Sequence, residues 1–123
     1  MGTRSTVKFY DEEECVASIY QQYDGYLKGV GLSLAKFLKS KIIINGFSEQ
    51  TMETHANGIG CLASQYIAKI KTKIGNVYMT TKDDEEEYNY KVYCNASDEL
   101  KITVEDFTGN VEKFYEYCNK TIS

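Results

Sequence analysis

The residues best suited to chemistry gather in one stretch, Tyr23-Asp24-Gly25-Tyr26, followed closely by Lys28, Gly29 and Gly31. A turn that feeds a glycine-containing helix can offer free backbone N–H groups to an anion, as phosphate-binding loops do. The pattern is neither G-x-G-x-x-G nor a P-loop, and Lys28 is the only cation close by in sequence. Architecture explains the same residues more simply: Asp24 as a turn or cap acceptor, Gly25 for a positive φ, and Gly29 or Gly31 for close packing against a sheet. As a catalytic carboxylate, Asp24 would need a partner group of matched role and shifted pKa, and the sequence places none beside it.

His55 is the only histidine, so any histidine-based acid, base or metal chemistry would have to use it. It lies in a polar, loop-like segment, where exposure is the ordinary state. With Cys61 it would supply half of a zinc site, but four ligands at zinc-site spacing are missing. Cys61 itself stands just inside a strongly patterned helix; a helix dipole there can activate a thiol, yet a small apolar packing role accounts for it equally well. No cofactor cradle emerges, no cofactor is expected, and the balance leans against an enzyme.

Tyrosine occurs eleven times, with no tryptophan or proline. Tyr10, Tyr20, Tyr23 and Tyr93 are expected on the sheet face turned away from the helices, beside Gln21 or Gln22. Such a face suits a protein partner or a second copy of the chain, because tyrosine supplies contact area at low entropic cost. The competing explanation is AT-rich codon usage, which also favours Lys, Ile and Asn. Lys36, Lys39 and Lys41, with Lys69, Lys71 and Lys73, outline a basic patch for single-stranded nucleic acid. The acidic runs Asp11–Glu14 and Asp83–Glu87, the net charge of −4 and the pI near 5.0 weigh against it and against a dedicated duplex binder.

The elements that must position these groups follow from hydrophobic period. Thr6–Tyr10 and Cys15–Tyr23 alternate as strands and pair as a hairpin across the acidic turn Asp11–Glu14. Val30, Leu34, Phe37 and Leu38 mark a helix, and Ile42–Phe47 reads as a link ending in an Asn45-Gly46 turn. Ile59, Leu62, Ala63, Tyr66, Ile67, Ile70 and Ile74 mark a second helix, ended by Gly75. Strands follow at Val77–Thr81, Tyr88–Cys94 and Leu100–Val104, expected as a meander. After a Thr108-Gly109-Asn110 turn, with Asn110 as N-cap, Val111, Phe114, Tyr115, Cys118 and Ile122 mark a last helix. The order ββααβββα predicts one α+β domain over residues 1–123, a single mainly antiparallel sheet of about five strands with helices on one face.

Four cysteines without a Cys-x-x-Cys pair or a secretory signal read as reduced thiols in a cytoplasm. No apolar run approaches the ~20 residues of a transmembrane helix. Gly2 and Thr6 formally fit an N-myristoylation pattern, but an immediate first strand leaves little tail for it. The sequons Asn95-Ala96-Ser97 and Asn119-Lys120-Thr121 would matter only in a secreted protein.

Five segments together, MGTRSTVKFYD, IYQQYDGYLKGVGLSLAKFL, NGIGCLASQYIAKIK, GNVYMTT and EEYNYKVY, resemble a family of small uncharacterised proteins. These are encoded by bacteriophages, some bacteria, and large DNA viruses with their virophage-type satellites. The resemblance implies a viral or phage-like accessory gene and, for the host of such a virus, a cytoplasmic setting. It implies no activity, cofactor or binding residue. The expectation is therefore a non-enzymatic protein-interaction module. The rival is a small enzyme or anion-binding protein at Asp24, Gly25, Tyr26, Lys28 and His55, and nucleic-acid binding through helix-end lysines comes third.

Overall fold

Two alternating runs near the N-terminus form the hairpin that starts the sheet. β1 (Ser5–Asp11) lies antiparallel to β2 (Glu14–Gln21), with Val7 opposite Ile19 and Phe9 opposite Ala17. The register shifts from Phe9 opposite Ala17 to Tyr10 opposite Cys15, leaving Val16 of β2 as an extra residue that bends and twists that strand locally. The computed structural model describes residues 3–39, 41–44, 54–81, 86–95 and 99–120. Gly2, the Asn45-Gly46 turn, Ile122 and the hydroxyl residues of both sequons, Ser97 and Thr121, lie outside them.

The remaining strands of the main sheet are β5 (Val77–Met79), β6 (Tyr88–Cys94), β7 (Leu100–Val104) and β8 (Phe107–Asn110), in the order β5-β2-β1-β6-β7-β8. All neighbours are antiparallel except β1 and β6, which run parallel. A separate parallel pair joins β3 (Ile42–Ile44) to β4 (His55–Asn57). The α-helices are α1 (Leu32–Lys39), preceded by a π-type turn over Leu27–Gly31, α2 (Gly58–Ile70) and α3 (Val111–Lys120).

The fold is thus α+β with a mainly antiparallel sheet, but the sheet has six strands and the order is ββαββαββββα. The expected meander is corrected: β5 joins the far edge beside β2, and β6 enters next to β1. Alternation defines which face of a strand is apolar but not which strand lies beside it. Ile42–Ile44 is a strand rather than part of a link. The Thr108-Gly109-Asn110 turn is instead the end of β8, although Asn110 does cap α3, its Oδ1 accepting the Lys113 N–H at 2.9 Å. The second helix stops at Ile70, before Gly75, and Ile74 is 98% exposed.

All three helices cover one face of the sheet. Phe9 of β1 packs on Tyr66 of α2 at a ring separation of 5.7 Å, and Tyr66 meets Phe37 of α1 edge-on. Tyr90 of β6 meets Phe114 of α3 edge-on at 6.2 Å. The fully buried set Val7, Ile19, Leu34, Leu62, Val92 and Ile102 fills the space between. Each such side chain contributes about 1.5–3 kcal/mol by leaving water.

Candidate functional site

The corner between β2 and α1 is built by close backbone approach. Asp24 adopts the left-handed conformation at φ 57°, and its carbonyl accepts the Val30 N–H at 2.7 Å. The positive φ expected at Gly25 is therefore at Asp24 instead. Gly25 is needed for space: a Cβ there would come within 2.7 Å of Ser5 Cβ and 2.9 Å of the Arg4 carbonyl carbon. Its N–H donates to the Thr3 carbonyl, and its own carbonyl accepts the buried Tyr90 hydroxyl at 2.7 Å. Burial drives the Tyr90 phenol far above its ordinary pKa, so it stays a neutral donor.

Gly29 and Gly31 are equally constrained. A Cβ on Gly29 would lie 2.0 Å from the Asp24 carbonyl oxygen, and one on Gly31 would lie 3.0 Å from both Cys118 Sγ and the Tyr90 hydroxyl. The expected packing of Gly29 against the sheet is thus packing against the turn, while Gly31 does meet β6. The Asp24 carboxylate does not cap the helix; it accepts the Tyr26 hydroxyl at 3.3 Å on the surface, and Tyr26, the residue preceding the π-type turn, makes no side-chain cap bond.

His55 lies in β4, with Nδ1 2.7 Å from the Thr54 hydroxyl and its carbonyl accepting the Gln65 amide at 3.0 Å. The same amide reaches Cys61 Sγ at 3.5 Å, so Gln65 links the two residues through its own side chain. Among the described residues no group of three or more His, Cys, Asp or Glu is placed to hold a metal ion. Asp24 and Tyr26 are together at the corner, and His55 shares none of their contacts. None of these three lines the hollows bordered by Lys39, Ser18, Glu12 or Lys36.

On the sheet face opposite the helices, Tyr10, Tyr20 and Tyr93 alternate with the core residues, as expected. Tyr23 lies past the end of β2 and is 52% exposed. Tyr78 of β5, which sequence reasoning left out, stands opposite Tyr20 with ring centroids 6.2 Å apart. The middle of this face is closed: Thr6 and Lys8 are 0% and 3% exposed, and Thr6 Oγ1 donates to Asn89 Oδ1 at 2.8 Å. This face is accessible at its two ends, around Thr103 and Thr108 of β7 and β8 and along the β2–β5 margin.

That margin has an open edge. β5 pairs with β2 over Ile19–Gln21, with one further bond from the Thr80 N–H to the Ser18 carbonyl. Among the described residues no strand lies beside Glu14–Ala17. A cavity of about 760 Å³ occupies this position, lined by Lys8, Tyr10, Cys15, Val16, Ser18 and Met79 among others. Val16 and Met79 at its wall are exposed, as is Tyr78 next to Met79, and the buried Ser18 hydroxyl has no hydrogen-bond partner among the described residues. The four carboxylates of Asp11, Glu12, Glu13 and Glu14 border a second depression at the end of the same edge.

The six helix-region lysines do not form one patch. Lys39 sits over the Tyr115 ring, Lys41 over Phe37, and Lys71 donates to the Gly75 and Val77 carbonyls beside Tyr78. Lys36 and Lys69 come together instead with Lys28.

All four cysteines are free thiols, and burial pushes that of Cys118 up to about 12. No helix among the described residues is long and apolar enough to cross a membrane. No protein-family model matches this chain, and no match is found among the curated proteins or the solved structures.

Proposed function

We propose that the protein is a non-enzymatic interaction module, a viral or phage-like accessory protein of the host cytoplasm, which receives an extended segment of a partner protein along β2. The supporting observation is the open edge at Glu14–Ala17, beside exposed Val16, Tyr78 and Met79. An edge strand without a neighbour is a template for strand addition, in which main-chain bonds give affinity and side-chain pockets give choice of sequence. The cavity along the edge has room for alternate side chains of the added strand, and the Ser18 hydroxyl is free to bond one of them.

Charge sets the character of the partner. The edge begins at the acidic hairpin Asp11–Glu14, so the incoming segment carries Lys or Arg where it passes Glu14. A second copy of a chain with net charge −4 fits this end less well. The reading of the Asp24 corner as an enzyme site has less support, since Asp24, Gly25 and Gly29 are committed to the backbone turn.

The test is quantitative affinity capture from host or infected lysate, with size-exclusion light scattering of the purified chain. The expected result is a partner captured by the wild type and lost in Val16→Lys/Met79→Lys, but retained in Thr108→Lys on the opposite sheet edge. A strict monomer that captures nothing would remove the proposal. A dimer dispersed by Val16→Lys would reassign the edge to self-association.

A further inference from the structure

We infer that the groove between the turn leading into α1 and the C-terminal half of α2 is a binding site for a small anion carrying a diphosphate-type group. A cavity of about 340 Å³ there is lined by Lys28, Gly29, Leu32, Ser33, Lys36 and Lys69. Lys28 of the π-type turn, Lys36 of α1 and Lys69 of α2 all line this one cavity, and no Asp or Glu among the described residues does. None of the three lysines makes an ion pair or hydrogen bond with another described residue. Three exposed lysines around one hollow favour a bound anion, most strongly at low salt.

The lining also narrows the ligand. Three positive charges match a diphosphate near neutral pH better than a single phosphate or a carboxylate. The exposed Ser33 hydroxyl can donate to the anion, and half-buried Leu32 lines the site beside it. No aromatic side chain borders the cavity. Proteins that hold single-stranded nucleic acid combine a basic groove with rings that stack the bases, so the lining favours a small phosphorylated molecule over a polynucleotide. At this volume the site holds a ligand at the small end of the usual range. The groove lies on the helical side of the molecule, and its occupancy does not depend on the proposed strand addition at β2.

The probe is inorganic pyrophosphate, titrated into the full chain at low ionic strength by isothermal calorimetry, with amide shifts followed by NMR. The expected result is saturable one-to-one binding that weakens as salt is raised, with shifts centred on Gly29 and Ser33. Lys28→Gln/Lys36→Gln/Lys69→Gln should weaken it at least about tenfold, a change expected from losing charge-assisted bonds. A control, Lys73→Gln/Lys113→Gln/Lys120→Gln, carries the same charge change on exposed lysines outside the cavity and should bind within about twofold of wild type. Absence of saturable binding, or equal weakening in the control, would overturn the site. Tighter binding of an oligothymidylate than of pyrophosphate, lost in the same cavity variant, would overturn the small-molecule assignment in favour of nucleic acid.

Discussion

The hydroxyl of Tyr90 donates a 2.7 Å hydrogen bond to the carbonyl of Gly25, tying the centre of β6 to the corner between β2 and α1. The two residues are 65 positions apart, and the bond is buried. Tyr90→Phe leaves the carbonyl with no donor in a site closed to water and should cost about 1–3 kcal/mol in urea denaturation. Gly25→Ala should cost more, because its Cβ would meet both Ser5 and the Arg4 backbone. A Tyr90→Phe variant as stable as wild type would show that the corner is held without this bond.

Asp24 shapes the corner through its backbone conformation and not as a helix cap. At φ 57° an L-residue is strained and glycine is not. Aspartate tolerates this conformation better than alanine because its short polar side chain bonds locally, here to the Tyr26 hydroxyl, so Asp24→Ala should lower stability by about 1 kcal/mol, as loss of a cap also would. Asp24→Gly separates the two causes: it should leave stability unchanged or raise it, whereas a missing cap acceptor would lower it. Gly29→Ala, with its Cβ 2.0 Å from the Asp24 carbonyl oxygen, should cost more than about 2 kcal/mol.

Ile74 tests where the sequence pattern stops being informative. Spacing from Ile70 puts it on the buried stripe of the second helix, yet it is 98% exposed beyond the helix end. Ile74→Lys should change stability by no more than about 0.5 kcal/mol. The same substitution at Leu62, which is fully buried, should prevent folding, because an unpaired ammonium would enter the core. Circular dichroism with thermal melting of both variants decides the point.

What was legible in the residues was local. The stripes Val30-Leu34-Phe37-Leu38 and Ile59-Leu62-Ala63-Tyr66 are all buried, as their period requires, and Asn110 caps α3 as its type predicts. Tyr10, Tyr20 and Tyr93 share a face because the strand period is two. What escaped was non-local. Nothing in Tyr88–Cys94 announces that it runs parallel to β1, and nothing in Lys28, Lys36 and Lys69 announces a shared cavity, since that depends on how α1 and α2 pack. The strand at Phe107–Asn110 was hidden because Thr108-Gly109-Asn110 has the composition of a turn.

Alkaline pH should destabilise the fold. Burial raises the Tyr66 phenol from 10.0 to about 12, partly offset by its bond from Gln21, and raises the Cys118 thiol from 9.0 to about 12. Tyr90 is shifted upward too, by burial first. Each group keeps its proton more tightly folded than unfolded. The stability this represents is complete below about pH 9 and is lost as pH rises towards 12. The thermal midpoint should fall across that window, with tyrosinate absorbance from the buried phenols appearing only on unfolding. A flat midpoint through the window would contradict the burial of these groups.

The most direct measurement of the proposed function is amide hydrogen exchange on the full chain with and without its captured partner. Strand addition at the open edge predicts slowed exchange concentrated in Glu14–Ala17, with smaller changes at Tyr78 and Met79, and none along β8. Slowing confined to β8 or to the helical face, with Glu14–Ala17 exchanging as in the free chain, would contradict it.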